Sequence, residues 1–139
     1  MYLNLPAVIT LAVYLNRSIA ISMIKKETIA LDVDGRIWIT IGREKFIGKG
    51  RVELMEKIKQ FGSIRQAALA MEMSYRQAWQ LIDEINNMAQ TPLVISSRGG
   101  KGGGKAVITA TGEQLIDLFN NFNKNFQEFL QQQAALLIF

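Results

Sequence analysis

The seven-residue stretch from Ser74 to Gln80 concentrates side chains that hydrogen-bond to the bases and phosphates of nucleic acids. Arg76 is the best candidate for a direct base contact, because two arginine N–H donors match the O6 and N7 atoms of guanine. The candidate contact residues of this stretch are Ser74, Tyr75, Arg76, Trp79 and Gln80. Trp79 has two open interpretations, since an indole ring serves equally well in a core and in a contact surface.

A helix from Tyr75 to about Met88 positions these side chains. Its predicted buried face repeats at spacings of three and four residues and consists of Ala78, Leu81, Ile82 and Ile85. The polar side chains then lie on the opposite face, and Ser74 is the predicted N-cap.

A shorter predicted helix, Ile64–Ala70, comes before it, with Ser63 as the N-cap. Its buried face is mostly alanine, which allows a second helix to pack very close. Two such helices in this order are typical of a helix–turn–helix, in which the second helix enters the major groove. Ser63, like Ser74, is a candidate for binding phosphate as well as capping its helix. Arg65 and Gln66 are weaker candidates for phosphate contacts, and the alternative for them is a solvated helix face.

A glycine-rich basic segment follows and is predicted to form a β-hairpin, with strands over Leu93–Ser97 and Ala106–Thr109. From Thr91 to Gly112 the sequence has three basic residues and no acidic residue. Glycines let a backbone approach phosphates closely while cations neutralise the charge, which gives affinity but little sequence choice. The predicted contacts from this hairpin are Arg98, Lys101 and Lys105.

The same segment, Gly99-x-x-x-x-Gly104-Lys105, matches most of a nucleotide-binding phosphate loop. Such a loop continues with Ser or Thr to hold magnesium and then opens a helix. Here Ala106 follows and begins an alternating, strand-like segment, so the nucleotide interpretation is disfavoured.

Charge and composition narrow the function classes. The 139 residues carry a formal charge of +4, and residues 35–110 hold twelve Lys or Arg against six Asp or Glu, which favours a polyanionic partner. The sequence has no Cys and no His, which excludes disulfides, zinc held by these residues, and Ser-His or Cys-His catalysis. With no paired carboxylates in an evident pocket, we expect no enzymatic activity, catalytic residue, metal site or cofactor.

The region before the two helices is predicted to hold a hairpin and a first helix. Asp34-Gly35 between the β-rich runs Thr28–Val33 and Arg36–Ile41 is a strong hairpin signal. Lys45–Ile47 is a candidate short third strand. A helix over residues 50–61 follows, with an apolar stripe along one face.

Residues 1–27 are predicted to form an apolar extension. Its longest clean run, Leu5–Leu15, is shorter than the roughly 20 residues that span a bilayer, and it lacks the basic start of a secretory signal peptide. An extra packing helix and an artefact of start-site choice, with Met23 as the natural initiator, are favoured over an interfacial membrane segment. We expect a cytoplasmic protein without a membrane partner.

A long helix closes the chain, with Thr109 or Thr111 as its predicted cap. Bulky apolar side chains recur along it every three or four residues. Core packing explains the first half of this stripe, and the second half is predicted to meet another subunit. The predicted dimer contacts are Leu115, Leu118, Phe119, Phe122, Phe126 and Phe129.

Three motifs in this order resemble a known family. They are Gly62–Ile64 followed by Gln-Ala-Ala, the Ser-Tyr-Arg-x-Ala-Trp sequence within Met73–Trp79, and the glycine-lysine run Gly99–Gly104. Together they resemble the N-terminal DNA-binding domain of ModE, the molybdate-responsive transcriptional regulator, over roughly residues 36–133. In addition, Ile108–Gly112 is similar to the strand-to-helix junction of the LysR-type winged helices.

The resemblance implies a winged-helix dimer on a palindromic operator, with the terminal helix in the dimer contact. It places Ser74, Tyr75, Arg76 and Trp79 at the start of the recognition helix. The C-terminal molybdate-binding modules of ModE proteins have no counterpart in this sequence. Molybdate binding is therefore not expected in this chain.

We predict an α+β fold: a winged helix–turn–helix with a three-helix core and a β-hairpin wing, an N-terminal β-hairpin and a long C-terminal dimerisation helix. The predicted divisions are the extension 1–27, the DNA-binding domain 28–110 and the terminal helix 111–139. The predicted function is transcriptional regulation by a homodimer that binds double-stranded operator DNA in a sequence-specific manner. The alternative is a winged-helix module for protein–protein interaction without DNA binding, which the basic helix and wing disfavour.

Overall fold

The computed structural model describes residues 31–99 and 104–137, and in them it contains four helices and two antiparallel hairpins. The strands are β1 (Ile39–Ile41), β2 (Glu44–Ile47), β3 (Val94–Ser97) and β4 (Lys105–Ile108). The helices are α1 (Lys49–Phe61), α2 (Ile64–Ala70), α3 (Tyr75–Met88) and α4 (Ala110–Ala134). β1 pairs with β2 and β3 pairs with β4. The α+β class is therefore confirmed, while the predicted extension 1–27 and Lys101 lie outside the described residues.

Three of the helices begin at hydroxyl side chains that accept a hydrogen bond from the first turn. Ser63 caps α2, Ser74 caps α3 and Thr109 caps α4, each through a backbone N–H three residues on, at 3.3, 3.1 and 3.1 Å. These bonds satisfy N–H groups that a helix cannot pair internally. Both serine caps are confirmed, and Thr109 rather than Thr111 begins α4.

The core lies where α1, α2 and α3 meet. α2 contacts both α1 and α3, and it buries Ala67 and Ala68 almost completely. α3 buries the predicted face through Ala78, Ile82 and Ile85, while Leu81 is partly exposed. Small side chains at a helix crossing shorten the distance between the axes, so the alanines allow the close approach that the sequence predicted.

The N-terminal half of α4 belongs to the same core. Ile116 and Phe119 are buried in it, and Phe119 is only 1% exposed. Phe119 is therefore not available to a second subunit, which corrects its prediction as a dimer contact. Phe126 packs beside Gly35 of the same chain and is partly buried. The large side chains of α4 that remain exposed in its predicted dimer stripe are Leu118, Phe122 and Phe129.

The N-terminal hairpin forms at a different turn from the one predicted. Residues 31–38 contain no strand, and the hairpin is the β1–β2 pair around Gly42, whose φ is +61°. Asp34 Oδ1 instead accepts a hydrogen bond from Gly35 N (2.8 Å), and Gly35 packs against the Phe126 ring of α4. Packing against α4 therefore overrides the local Asp-Gly signal, whereas the predicted third strand is confirmed as part of β2.

Polar contacts also join α1 to α4. Lys59 Nζ lies 2.6 Å from Glu113 Oε2, and Asn120 Nδ2 donates to Glu56 Oε1 at 2.8 Å. The hydrogen bond that Lys59 donates to Glu113 raises the pKa of Lys59, because it stabilises the charged ammonium.

Substitution of Gly112 by Ala is expected to destabilise the fold. A Cβ at Gly112 would lie 2.5 Å from the backbone oxygen of Leu93 and 2.7 Å from Ile108 Cγ2, at the junction of α4 with the second hairpin. Overpacking of this kind costs about 1–3 kcal/mol of the free energy of unfolding, which urea denaturation measures.

Gly50→Ala is the matched control, because Gly50 is in helix α1 and a Cβ there would meet no atom within 4 Å. Alanine at this position is expected to raise the free energy of unfolding by about 0.5–1 kcal/mol. Equal stabilisation by both variants would show that α4 is not packed tightly on Leu93.

Candidate nucleic-acid interface

α3 presents one polar face to solvent. Its buried face points into the core, and Arg76 and Gln80 are exposed on the opposite side. Because they are four residues apart, the two side chains lie one above the other on the same face of the helix. The candidate base contacts of the sequence are therefore accessible and adjacent.

Beside this face lies an open groove of about 760 Å³. It runs between the start of α2, the first turn of α3 and the base of the β3–β4 hairpin. Of the predicted contact residues, it is lined by Ser63, Arg65, Gln66, Tyr75, Trp79, Arg98 and Lys105. Three of the described lining residues are cationic and none is acidic, so the groove has the electrostatics of an anion-binding surface.

The remaining predicted contacts lie outside the groove lining. Arg76 and Gln80 occupy the neighbouring outward face of α3, and Ser74 is exposed at its N-cap. The predicted contact at Lys101 falls outside the described residues. The structure thus brings the two helices and the base of the hairpin to one side of the molecule.

Two aromatic rings form one wall of the groove. The Tyr75 and Trp79 rings meet edge to face with centroids 6.2 Å apart, and the Arg65 guanidinium lies 5.4 Å from the Tyr75 centroid. Trp79 is half-buried against the core and also lines the groove, so its packing role is confirmed and its role as a nucleic-acid contact stays a prediction. These contacts restrict the rotamers of Tyr75 and Arg65, which is favourable for a binding surface.

The β3–β4 hairpin is attached to the turn between α1 and α2. Ala106 N donates to Gly62 O at 2.9 Å, and Gly62 itself has a φ of +64°. α1 also contacts β4 directly. The base of the hairpin is therefore fixed relative to the start of α2, and Arg98 and Lys105 line the same groove as Arg65.

Asn86 joins α3 to the same hairpin, a contact that the sequence pattern around Asn86 did not predict. Its Oδ1 accepts from Leu93 N (2.8 Å) and Val94 N (3.2 Å), and its Nδ2 donates to Val94 O (2.8 Å). The side-chain amide thus pairs with the backbone as a neighbouring strand would. No local periodicity distinguishes Asn86 from the adjacent Asn87, so the sequence contains no signal for this role.

A second polar link joins α3 to the β1–β2 hairpin. Arg51 Nη2 lies 2.6 Å from Glu84 Oε2, and Arg51 Nη1 donates to the backbone oxygens of Lys45 and Phe46 at 2.9 and 2.7 Å. Gln80 Nε2 donates to the other Glu84 oxygen at 3.2 Å. The network therefore runs from the hairpin to the outward face of α3. Its residues are far apart in the sequence, so their spacing does not predict that they meet.

The described residues contain neither a cluster of metal ligands nor a membrane-spanning helix. No group of three or more possible metal ligands occurs in them. No helix in this part of the chain has the length and apolar character required to cross a membrane.

The chain is similar in sequence to curated bacterial proteins. It is 35% identical over 87 residues to the molybdenum transport protein ModE of Azotobacter vinelandii, 38% over 82 residues to the DNA-binding transcriptional dual regulator ModE of Escherichia coli K12, and 43% over 70 residues to the molybdenum-pterin-binding protein MopB of Rhodobacter capsulatus. The similarity covers 63%, 59% and 50% of this chain.

These alignments take in 32%, 31% and 26% of the three relatives, so the chain spans about a third of the length of the curated proteins it matches. No protein-family model matches the sequence. The similarity supports a relation to the ModE proteins, in agreement with the motifs.

Asn86→Ala is expected to lower the free energy of unfolding by about 1–3 kcal/mol, because two backbone N–H groups and one carbonyl lose their partner in a partly buried site. Asn87→Ala is the matched control: Asn87 is exposed, and its change should stay within about 0.5 kcal/mol. Thermal or urea unfolding measures both, and equal effects would argue against the attachment of α3 to β3 through Asn86.

Proposed function

We propose that this chain is a winged helix–turn–helix protein that binds double-stranded DNA in a sequence-specific manner and regulates transcription as a homodimer. In this proposal α2 and α3 are the helix–turn–helix, α3 is the recognition helix, and the β3–β4 hairpin is the wing. The observation that carries it is the cationic groove between α2, α3 and the wing, next to the exposed Arg76 and Gln80.

The geometry supports a division of contacts between bases and phosphates. The outward face of α3 has a guanidinium and an amide, which are the groups that read base edges in the major groove. Arg65, Arg98 and Lys105 lie beside this face of α3, and they supply positive charge for the phosphates on both sides of the DNA groove. Names of the relatives support the same assignment, since the E. coli protein is described as a DNA-binding transcriptional regulator.

The homodimer is proposed through the exposed row of α4. Leu118, Phe122 and Phe129 are 46%, 50% and 52% exposed and follow one another at spacings of four and seven residues, which places them on one face. Large side chains in such a row favour a helix–helix contact between two copies, because association removes their apolar surface from water. Molybdate binding is not part of the proposal.

Arg76→Ala is expected to reduce affinity for a selected DNA site by about 5- to 150-fold, corresponding to about 1–3 kcal/mol, and to relax preference at one base pair. The reason is the removal of a bidentate hydrogen-bond donor to guanine. Titration of a labelled selected site and of random DNA by fluorescence anisotropy measures the two affinities, and equal decreases on both would reduce Arg76 to a phosphate contact.

The contrasting variant removes the three wing charges, Arg98→Ala, Lys101→Ala and Lys105→Ala. It should weaken binding to all sequences alike and reduce the slope of log K against log salt by about 0.9 for each phosphate that is no longer neutralised. An unchanged slope would exclude the wing from the interface. Absence of DNA binding by the wild-type protein would leave the protein–protein module as the remaining function.

The double variant Phe122→Ser and Phe129→Ser is expected to sediment as a monomer of 15.6 kDa, whereas the wild type sediments at twice that mass. The two rings are 50% and 52% exposed, so their replacement should leave the buried Phe119 and Leu130 in place and the chain folded. Asn121→Ser, on an exposed position of the same helix, should leave the dimer intact. Sedimentation equilibrium decides, and a double variant that remains dimeric would require another interface.

A further inference from the structure

We propose that Gln80 selects adenine in the major groove, and that Glu84 and Arg51 are positioning residues that orient its amide for this purpose. The inference rests on the proposed function and makes it more specific. The supporting observation is the chain of hydrogen bonds that runs from Arg51 through Glu84 to Gln80. None of these three residues lines the groove.

The first step is the orientation of the Gln80 amide. Its neighbour is one oxygen of the Glu84 carboxylate, at 3.2 Å, and the other oxygen is held by the Arg51 guanidinium at 2.6 Å. A carboxylate paired in this way accepts hydrogen bonds and donates none, so only the NH₂ end of the amide can face it. The chemistry of the partner therefore sets which end of Gln80 points away from Glu84.

The Glu84 carboxylate is itself held in a fixed position by Arg51. Arg51 is anchored by the backbone oxygens of Lys45 and Phe46 in β2, and only 15% of its side chain is exposed. It holds Glu84 in place and also offsets a negative charge that would otherwise repel DNA phosphates. The β1–β2 hairpin thus contributes to the recognition surface without touching the nucleic acid.

The third step is the match to a base. With one N–H given to Glu84, Gln80 keeps a carbonyl oxygen and a second N–H, and the side chain is exposed on the same face as Arg76. In the major groove, adenine presents the N6 amino donor beside the N7 acceptor, which is the complementary pair. Cytosine has an amino donor without an adjacent acceptor, so it would satisfy only the oxygen.

The test uses the full chain and a pool of random double-stranded DNA. Sequences bound by the wild type should share one position at which adenine is preferred. Gln80→Ala should lose the preference for adenine at that position and keep its preferences at the other positions. Affinity for the best wild-type site should fall by about 5- to 150-fold in this variant. Gln90→Ala, an exposed glutamine just beyond the end of α3, is the control that should select the wild-type sequences.

A base analogue makes the contact atom-specific. Replacing the selected adenine by 7-deazaadenine removes the N7 acceptor, so wild-type binding should weaken while Gln80→Ala binding stays unchanged. Glu84→Gln should keep the other base preferences and lose part of the preference for adenine, because an amide partner no longer dictates the orientation of Gln80. A loss of stability alone would not change the preference at one base pair only.

The outcomes separate this inference from the proposed function. Enrichment of specific sequences by the wild type, with the same adenine preference in Gln80→Ala, would overturn the role of Gln80 and leave DNA binding standing. Equal decreases in the affinity of Gln80→Ala for selected and random DNA would also overturn it. Failure of the wild-type protein to enrich any sequence would overturn both.

Discussion

Packing of the alanine-rich α2 against α3 is the contact on which the candidate interface depends. Ala67, Ala68 and Ala78 are buried with almost no exposed surface where these helices and α1 meet. Because the side chains are small, α3 lies close to its neighbours on one side and keeps its opposite side in solvent. Larger residues at these positions would push α3 outward and change the direction in which Arg76 and Gln80 point.

Polar contacts fix the position of α3 along its axis and its rotation about that axis, which close packing alone does not. Apolar burial is not directional, so a helix held by it alone can slide or rotate at low cost. Asn86 pairs with the backbone at the start of β3, and Glu84 pairs with Arg51 beside β2. α3 is thus tied to a different hairpin on each flank, and both ties leave its outward face free.

The groove and the outward face of α3 suit different parts of a nucleic acid. Arg65, Arg98 and Lys105 surround a space of about 760 Å³ whose described lining has no acidic side chain, as expected for a surface that follows phosphates. Arg76 and Gln80 project beside it from one helix face, where hydrogen bonding to base edges demands defined orientation. This separation of charge from directional hydrogen bonding is the physical basis of the function we propose, and the sequence similarity to ModE proteins agrees with it.

The sequence alone determined the features that depend on neighbours a few residues away. The caps at Ser63 and Ser74, the buried face of α3 and the strands beside the glycine-rich tip follow from hydroxyl groups, apolar spacing and β-branched runs, all of which act locally. Tertiary structure decided where separate segments meet: Gly35 packs on Phe126 instead of forming a hairpin turn, and Phe119 is buried in the core. Tertiary structure likewise decided that Arg51 pairs with Glu84 and that Asn86, rather than Asn87, binds β3. Each of these pairs joins elements whose relative position is set by the packing of the whole core, and local spacing contains no information about that position.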